Sequence, residues 1–249
     1  MPCSTSSLAH RTLALLVLCA GCTEPAKSYE QDVTAWRAEK DAAFRTTDDS
    51  PIPVGDRAAF QGLVYFDVDP AWRVPAALAE TEMSAQTIEM DTTDGKRQRM
   101  RVIGRLEFTL AGERRTLTAF VPESAQTAER LFVPFRDATN RAETYGGGRY
   151  LDLERSSTGL YDLDFNRAYN PFCVYDAQYV CPLPPRENAL PLAIRAGEKM
   201  PKSKFGVRRS EFEVPQGMFA SSGFYSTLNM ELARQHVEPR TPNLEPVLP

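Results

Sequence analysis

The chain has 249 residues, 42% of them hydrophobic and 10% aromatic, a globular composition that excludes a disordered or fibrous protein. Lysine and arginine number 29 against 33 aspartates and glutamates, for a net charge of -4, so no basic nucleic-acid surface organises the molecule and no nucleic-acid partner is expected. Only two histidines occur, His10 and His236, which excludes a multi-histidine metal centre; no metal and no cofactor are expected.

At the N-terminus, His10-Arg11 precedes an apolar run over residues 13–20, too short to cross a bilayer as a helix and of the length of a signal-peptide core. The run ends Leu18-Cys19-Ala20-Gly21-Cys22, which resembles the box at which bacterial lipoproteins are cleaved and acylated at the cysteine. That reading makes residues 1–21 a lipoprotein signal peptide and Cys22 the lipidated residue, with the membrane as a partner through the anchor. Thr23 stands where an inner-membrane retention signal often has Asp, so the expected location is the outer membrane, facing the periplasm of a bacterial envelope.

Residues 28–45 carry Tyr29, Val33, Trp36, Ala43 and Phe44 at near-helical spacing, with Glu30 and Asp32 early, and predict one amphipathic helix. Pro51 and Pro53 stop it. Short β-branched or aromatic runs then follow at 63–67, 86–92, 97–103, 106–110, 117–121 and 131–135. Setting Met90 opposite Met100 and Ile88 opposite Val102 makes one apolar face, and places Asp91 against Arg99 and Glu89 against Arg101 on the other. A second hairpin sets Leu106, Phe108 and Leu110 against Val121, Ala119 and Leu117 around a turn near residues 112–115. The fold class is therefore mainly β, an antiparallel meander forming a barrel or sandwich, with one N-terminal amphipathic helix. The domain is expected to span residues 22–201, followed at 202–249 by an extension with a Pro-rich tail.

The densest run of unusual residues lies between Arg136 and Lys199. Gly146-Gly147-Gly148 is not followed by the Lys-Ser or Lys-Thr that a phosphate loop needs, and reads as a tight turn before a strand. Asp162-x-Asp164-x-Asn166 resembles the opening of a calcium loop, but Arg167 replaces the sixth-position Gly and Cys173 the twelfth-position Glu. Tyr161, Leu163 and Phe165 alternate with those polar residues as in a strand that buries the first set. Cys173 and Cys181 are the two remaining mature cysteines, and in an oxidising compartment a disulfide between them is the simplest fate, contributing about 2.6 kcal/mol in the chain-entropy model.

The combination Arg136-Asp137, Thr144-Tyr145, Gly148-Arg149-Tyr150, Asp164-Phe165-Asn166, Ala168-Tyr169-Asn170-Pro171, Cys181-Pro182, Pro184-Pro185, Glu187-Asn188 and Ala196-Gly197-Glu198-Lys199 resembles the domain-of-unknown-function family DUF1684. The similarity extends less sharply back toward Trp36 and leaves residues 202–249 outside. It implies a bacterial protein, often exported, with no established activity, and it supplies no catalytic residues. Asn140 departs from the small residue or glycine typical of its loop.

For function, the residue types suggest a site for a small polar or saccharide-like ligand. Arg136 and Arg149, beside Asp137, could fix an anionic group; Asp164, Asn166, Asn170, Glu187 and Asn188 could exchange hydrogen bonds with hydroxyls or amides; Tyr145 and Tyr150 could stack. The competing reading of the same residues is a buried polar network in which these groups satisfy one another. Two other classes stay open: a hydrolase using Asp164 with Glu187 or Glu198 as acid and base, and an envelope scaffold using the extension after Lys199 as its contact surface.

Overall fold

In the computed structural model, which describes residues 27–201, the predicted helix is α1 (Tyr29–Thr46). Ser28 caps it: its hydroxyl accepts from the Gln31 amide while the Gln31 side chain accepts from the Ser28 amide, satisfying two donors that the first turn cannot use internally. Its buried residues are Val33, Lys40 and Phe44, one stripe seven and eleven residues apart, so the helix lays a single narrow face on the rest of the domain. The expected signal peptide, the expected lipidation site Cys22 and the 202–249 extension lie outside the described residues.

Seven strands follow: β1 (Arg73–Ala79), β2 (Thr87–Asp91), β3 (Arg97–Leu110), β4 (Glu113–Pro122), β5 (Arg130–Phe135), β6 (Arg149–Glu154) and β7 (Tyr161–Asp164). They form one antiparallel sheet in the order β6-β5-β4-β3-β1-β7, with β2 on the free half of β3. A bridge between Arg155 and Tyr161 brings the two ends of that order together. The sheet is thus nearly closed into a barrel, which resolves the choice between barrel and sandwich. The segment at 63–67, expected as a strand, contributes only an isolated bridge from Tyr65 to Glu198.

Both hairpins exist with shifted registers. Ile88 faces Met100 and Glu89 faces Arg99, two residues away from the expected pairing. Because side chains alternate with period two, that shift leaves every side chain on its expected face, and charge pairing survives as Glu89 with Arg97 at 2.8 Å. In the second hairpin Leu106 faces Leu117 rather than Val121. The turn is tighter than expected, closing on Ala111 and Gly112, both with left-handed backbone, as a two-residue primed turn requires.

A register break between Val102 and Gly104 has the larger consequence. One extra residue, Ile103, carries the even-numbered side chains of β3 from one face of the sheet to the other. Leu106, Phe108 and Leu110 pack inside the barrel with Leu117, Leu131, Val133, Leu151, Leu163 and Phe165. Met100 and Val102 instead join Phe120, Phe132, Tyr150, Cys173 and Cys181 in a second core on the opposite face. This explains why β5 is buried along nearly its whole length and reads as a continuous apolar run. A third cluster, with Phe44, Phe60, Tyr145, Val174 and Tyr175, fastens α1.

At the break, a Cβ on Gly104 would stand 2.6 Å from the Ala79 carbonyl oxygen and 3.1 Å from Leu78 Cδ1. Gly104→Val is expected to cost about 1–3 kcal/mol through the backbone shift it forces, read as a lower midpoint in urea denaturation.

Candidate functional site

The conspicuous polar residues of the Arg136–Lys199 region separate into distinct hydrogen-bonded networks. Arg149, the first residue of β6, is 0% exposed. Its Nη2 donates to Asp137 Oδ2 at 2.7 Å and to the Ile194 carbonyl at 2.9 Å, while Nη1 donates to the carbonyls of Ala196 and Glu198. Asp137 Oδ1 in turn accepts from the amides of Thr139 and Ile194 at 2.7 and 3.3 Å. The guanidinium is a clasp that sews the strap 194–198 to the barrel. The preceding glycine turn serves this approach: Gly148, at φ +102°, lies where a Cβ would be 2.6 Å from the Phe135 carbonyl oxygen.

Asp164 and Asn166 form a second network with residues far away in sequence. Tyr29 of α1 donates from its hydroxyl to Asp164 Oδ1 at 2.7 Å; the Asn166 amide donates to Tyr29 Oη at 2.9 Å and to the Asp69 carbonyl at 2.8 Å, and its oxygen accepts from the Asp69 amide at 3.0 Å. Burial, followed by the bond to Asp164, pushes the Tyr29 hydroxyl well above its ordinary pKa. Asn188 makes a third: its side chain accepts from the Thr118 amide at 2.7 Å and donates to the carbonyls of Thr118 and Pro134 at 2.8 and 2.7 Å. It substitutes for strand pairing where β4 and β5 share a single register pair, Phe120 with Phe132.

Asn170 belongs to a fourth network, centred on Glu198. Glu198 Oε1 meets Lys40 Nζ at 2.7 Å, and Oε2 accepts from the Asn170 amide at 2.8 Å and the Tyr175 hydroxyl at 2.9 Å. Lys40 is 4.6 Å from the ring centroid of Tyr169 and 5.5 Å from that of Trp36.

The expected ligand site over these residues is therefore corrected in favour of the competing reading, a set of buried polar networks. Asp137 with Arg149, Asp164 with Asn166, Asn170 with Glu198, and Asn188 each serve their own partners, because buried polar groups were paired where they were buried. Tyr145 and Tyr150 are buried, the latter donating to the Pro182 carbonyl at 2.5 Å, so neither offers a face for stacking. Arg136 is half-buried, near Arg141 and Tyr145, and Glu187 is exposed. Asp164, Glu187 and Glu198 consequently do not form an acid and base pair: two are engaged in different networks and the third faces solvent. The expected disulfide is also corrected. Cys173 and Cys181 are free, buried thiols, with the Cys173 amide donating to Cys181 Sγ at 3.1 Å. Asn140 uses its amide to close its own loop, donating to Thr144 Oγ1 at 2.9 Å and to the Tyr145 carbonyl at 3.0 Å.

One polar group that sequence reasoning passed over has a different character. Asp152 points outward from β6 between the inward residues Leu151 and Leu153 and is exposed. It accepts from the Tyr169 hydroxyl at 2.9 Å. Protein atoms nevertheless surround it densely enough that desolvation pushes its carboxyl pKa up, against the opposing pull of Tyr169, Arg130 and Lys40. Tyr169 and Trp36 are half-buried, and the buried Lys40 lies near both rings. The strand alternation around Leu151 and Leu153 was the signal for the outward carboxylate; nothing local marked its distant partner Tyr169.

The family model described as protein of unknown function (DUF1684) matches residues 58–199. It takes in every residue of the Arg149 and Asn188 networks and both Asp152 and Tyr169, and leaves α1, with Trp36 and Lys40, outside. The solution NMR structure of an uncharacterized protein of Haloarcula marismortui is similar, at 42% identity and a TM-score of 0.54, covering 69% of this chain and 94% of that one. No curated protein matches the chain.

Proposed function

The chain belongs to the DUF1684 family, whose activity is unassigned, and we propose that this member is a lipid-anchored envelope protein binding a small polar, saccharide-like ligand at the exposed Asp152–Tyr169 pair. The apolar run at 13–20 ending in Cys22 supports removal of residues 1–21 and acylation of Cys22; Thr23 supports an outer-membrane location facing the periplasm. In this arrangement residues 22–201 make the β domain and 202–249 its extension.

The observation that carries the ligand reading is the exposed carboxylate of Asp152, held by the hydroxyl of the half-buried Tyr169 at 2.9 Å. A carboxylate accepts hydrogen bonds from neighbouring ligand hydroxyls, and half-buried aromatic faces cover apolar sugar CH groups. Functional groups held in this way cost stability.

The test is Asp152→Asn in the full-length protein, melted with and without glucose, N-acetylglucosamine, maltose or trehalose. Binding to the native state raises Tm, and the Asn variant is expected to lose that rise. Without ligand the variant should melt higher than wild type at neutral pH. A raised folded pKa means that wild-type Asp152 opposes folding when ionised, and that this opposition disappears as pH falls through the raised value toward the ordinary value of about 4. The advantage of Asn should therefore vanish in acid. A ligand-induced rise that survives Asp152→Asn sinks the site assignment.

A further inference from the structure

Along β4, Leu117, Ala119 and Val121 point into the barrel and are buried in its inner core. The same alternation carries Arg115 inward, directly opposite Phe108 of β3, which belongs to that core. A cation thus stands in an otherwise apolar layer. Only 11% of its side chain is exposed, and its Nε is buried with no hydrogen-bond acceptor. Among the described residues its ion pair is with Glu113, Nη2 to Oε2 at 2.8 Å, a rim side chain that is 72% exposed. A carboxylate solvated by water is a weak answer to a guanidinium that has lost nearly all of its own hydration.

The strand pairing is open one strand away from this arginine. β1 bonds to β3 from Ala77 with Glu107 to Ala79 with Arg105, while residues 73–76 bond to β7. Among the described residues, positions 108–110 of β3 therefore have a strand partner on the β4 side alone. Extended past its last pair, the β1 register sets Ala76 across from Phe108 and Val74 across from Leu110. Trp72, Val74 and Leu192 are half-buried and pack against the inner core. The mouth of the barrel thus has apolar walls with a charge one layer down. Leu110 and Glu113 oppose each other at the rim, and Phe108 and Arg115 in the layer beneath.

We propose that this mouth binds a free monocarboxylate with a short alkyl tail, its carboxylate on the Arg115 guanidinium and its tail against Trp72, Val74 and Phe108. Nε and Nη2 form the side fork of an arginine, which takes both oxygens of one carboxylate. Glu113 engages Nη2 and leaves Nε without an acceptor, so it uses half of that fork. A ligand carboxylate that takes both nitrogens replaces a one-bond rim contact with a two-bond buried one, and Glu113 turns out into water. Val74, Phe108 and Leu192 have no polar side-chain atoms, so the rest of the ligand is hydrocarbon. The site is separate from Asp152, which points outward from β6.

The chain has two tryptophans, so Trp36→Phe leaves Trp72 as the single indole, at the mouth. Full-length Trp36→Phe protein is titrated with sodium octanoate, with octanol as a neutral tail of the same length and acetate as a carboxylate without one. Octanoate is expected to shift Trp72 emission to the blue and to raise Tm, since it binds the native state; octanol and acetate at the same concentration should do neither. Adding Arg115→Met should weaken octanoate at least about tenfold, the loss of a hydrogen bond to a charged group. Without ligand that variant should melt no lower than its parent, because Met suits an apolar layer. Glu113→Gln should instead tighten octanoate by removing the competing carboxylate, and it decides the matter alone if Arg115→Met does not fold. No response to octanoate, an equal response to octanol, binding unchanged in Arg115→Met, or binding unchanged or weakened in Glu113→Gln overturns the proposal.

Discussion

Arg149→Met should bring the domain close to unfolding, with an expected loss of about 3–5 kcal/mol, the range for removing one partner of a buried ion pair. Against a total stability of about 5–15 kcal/mol for a native protein, that is a large share. The cause is what remains behind. Asp137 has no solvent exposure in its side chain, so its carboxylate would be left charged and buried with only backbone amides as partners. The carbonyls of Ile194, Ala196 and Glu198 would lose their donor as well. Arg149→Lys should recover little, because one ammonium on a flexible stem cannot reproduce a planar fork that reaches a carboxylate and several carbonyls at once. Adding Asp137→Leu to Arg149→Met should restore part of the loss by removing the stranded charge. Urea denaturation measures all of these. A cost below about 1 kcal/mol, the net worth of an ordinary hydrogen bond, would show that the guanidinium does not hold the strap.

The same residue shows which parts of the molecule could be read from the chain. That Arg149, Asp137, Asp164, Asn166, Asn170 and Asn188 matter to the domain is legible from residue type: polar groups within apolar surroundings need partners. Who those partners are is not legible, because they come from Tyr29, Asp69, Thr118 and Ile194, at separations that no local spacing encodes. The strands divide in the same way. Short apolar runs identified β2, β4, β5 and the two halves of β3, and alternation gave the faces of β2, β3 and β4, but register depends on the turn, and Ala111 takes a left-handed conformation that an alanine does not announce. β1 escaped because Arg73-Val74-Pro75-Ala76 has little of a strand's composition. Its first half pairs only with β7 and its second half with β3, so Pro75 stands where no bond to β3 is required. Ile103 is invisible as a bulge in sequence, since the runs on either side both alternate correctly. Lys40 carried a signal of its own: a lysine in the stripe defined by Val33 and Phe44 must be buried with a partner.

That stripe position leads to the second large effect. Lys40→Met should also cost about 3–5 kcal/mol by stranding Glu198, whose side chain has no exposure, but the loss should be distributed differently from that of Arg149. Arg149 ties the strap to the barrel, whereas Lys40 ties an external helix to that strap. Other links to α1 survive the substitution: Tyr29 to Asp164, Arg37 to the carbonyls of Phe66 and Asn166 at 2.8 and 3.1 Å, and the Leu63 amide to Asp41 at 3.0 Å. They are half-buried and flank the ion pair on both sides, so the helix should open more often without leaving altogether. Amide hydrogen exchange is then expected to accelerate in α1 and in the 196–200 segment while β3 to β6 stay protected, the pattern of a sub-global opening. Glu198→Gln in the Lys40→Met background should return most of the protection, since a neutral amide oxygen can still accept from Tyr175 or Asn170. Exchange that rises uniformly over the barrel in Lys40→Met would mean that helix and barrel unfold as one unit, and that the ion pair belongs to the global core rather than to the seam between them.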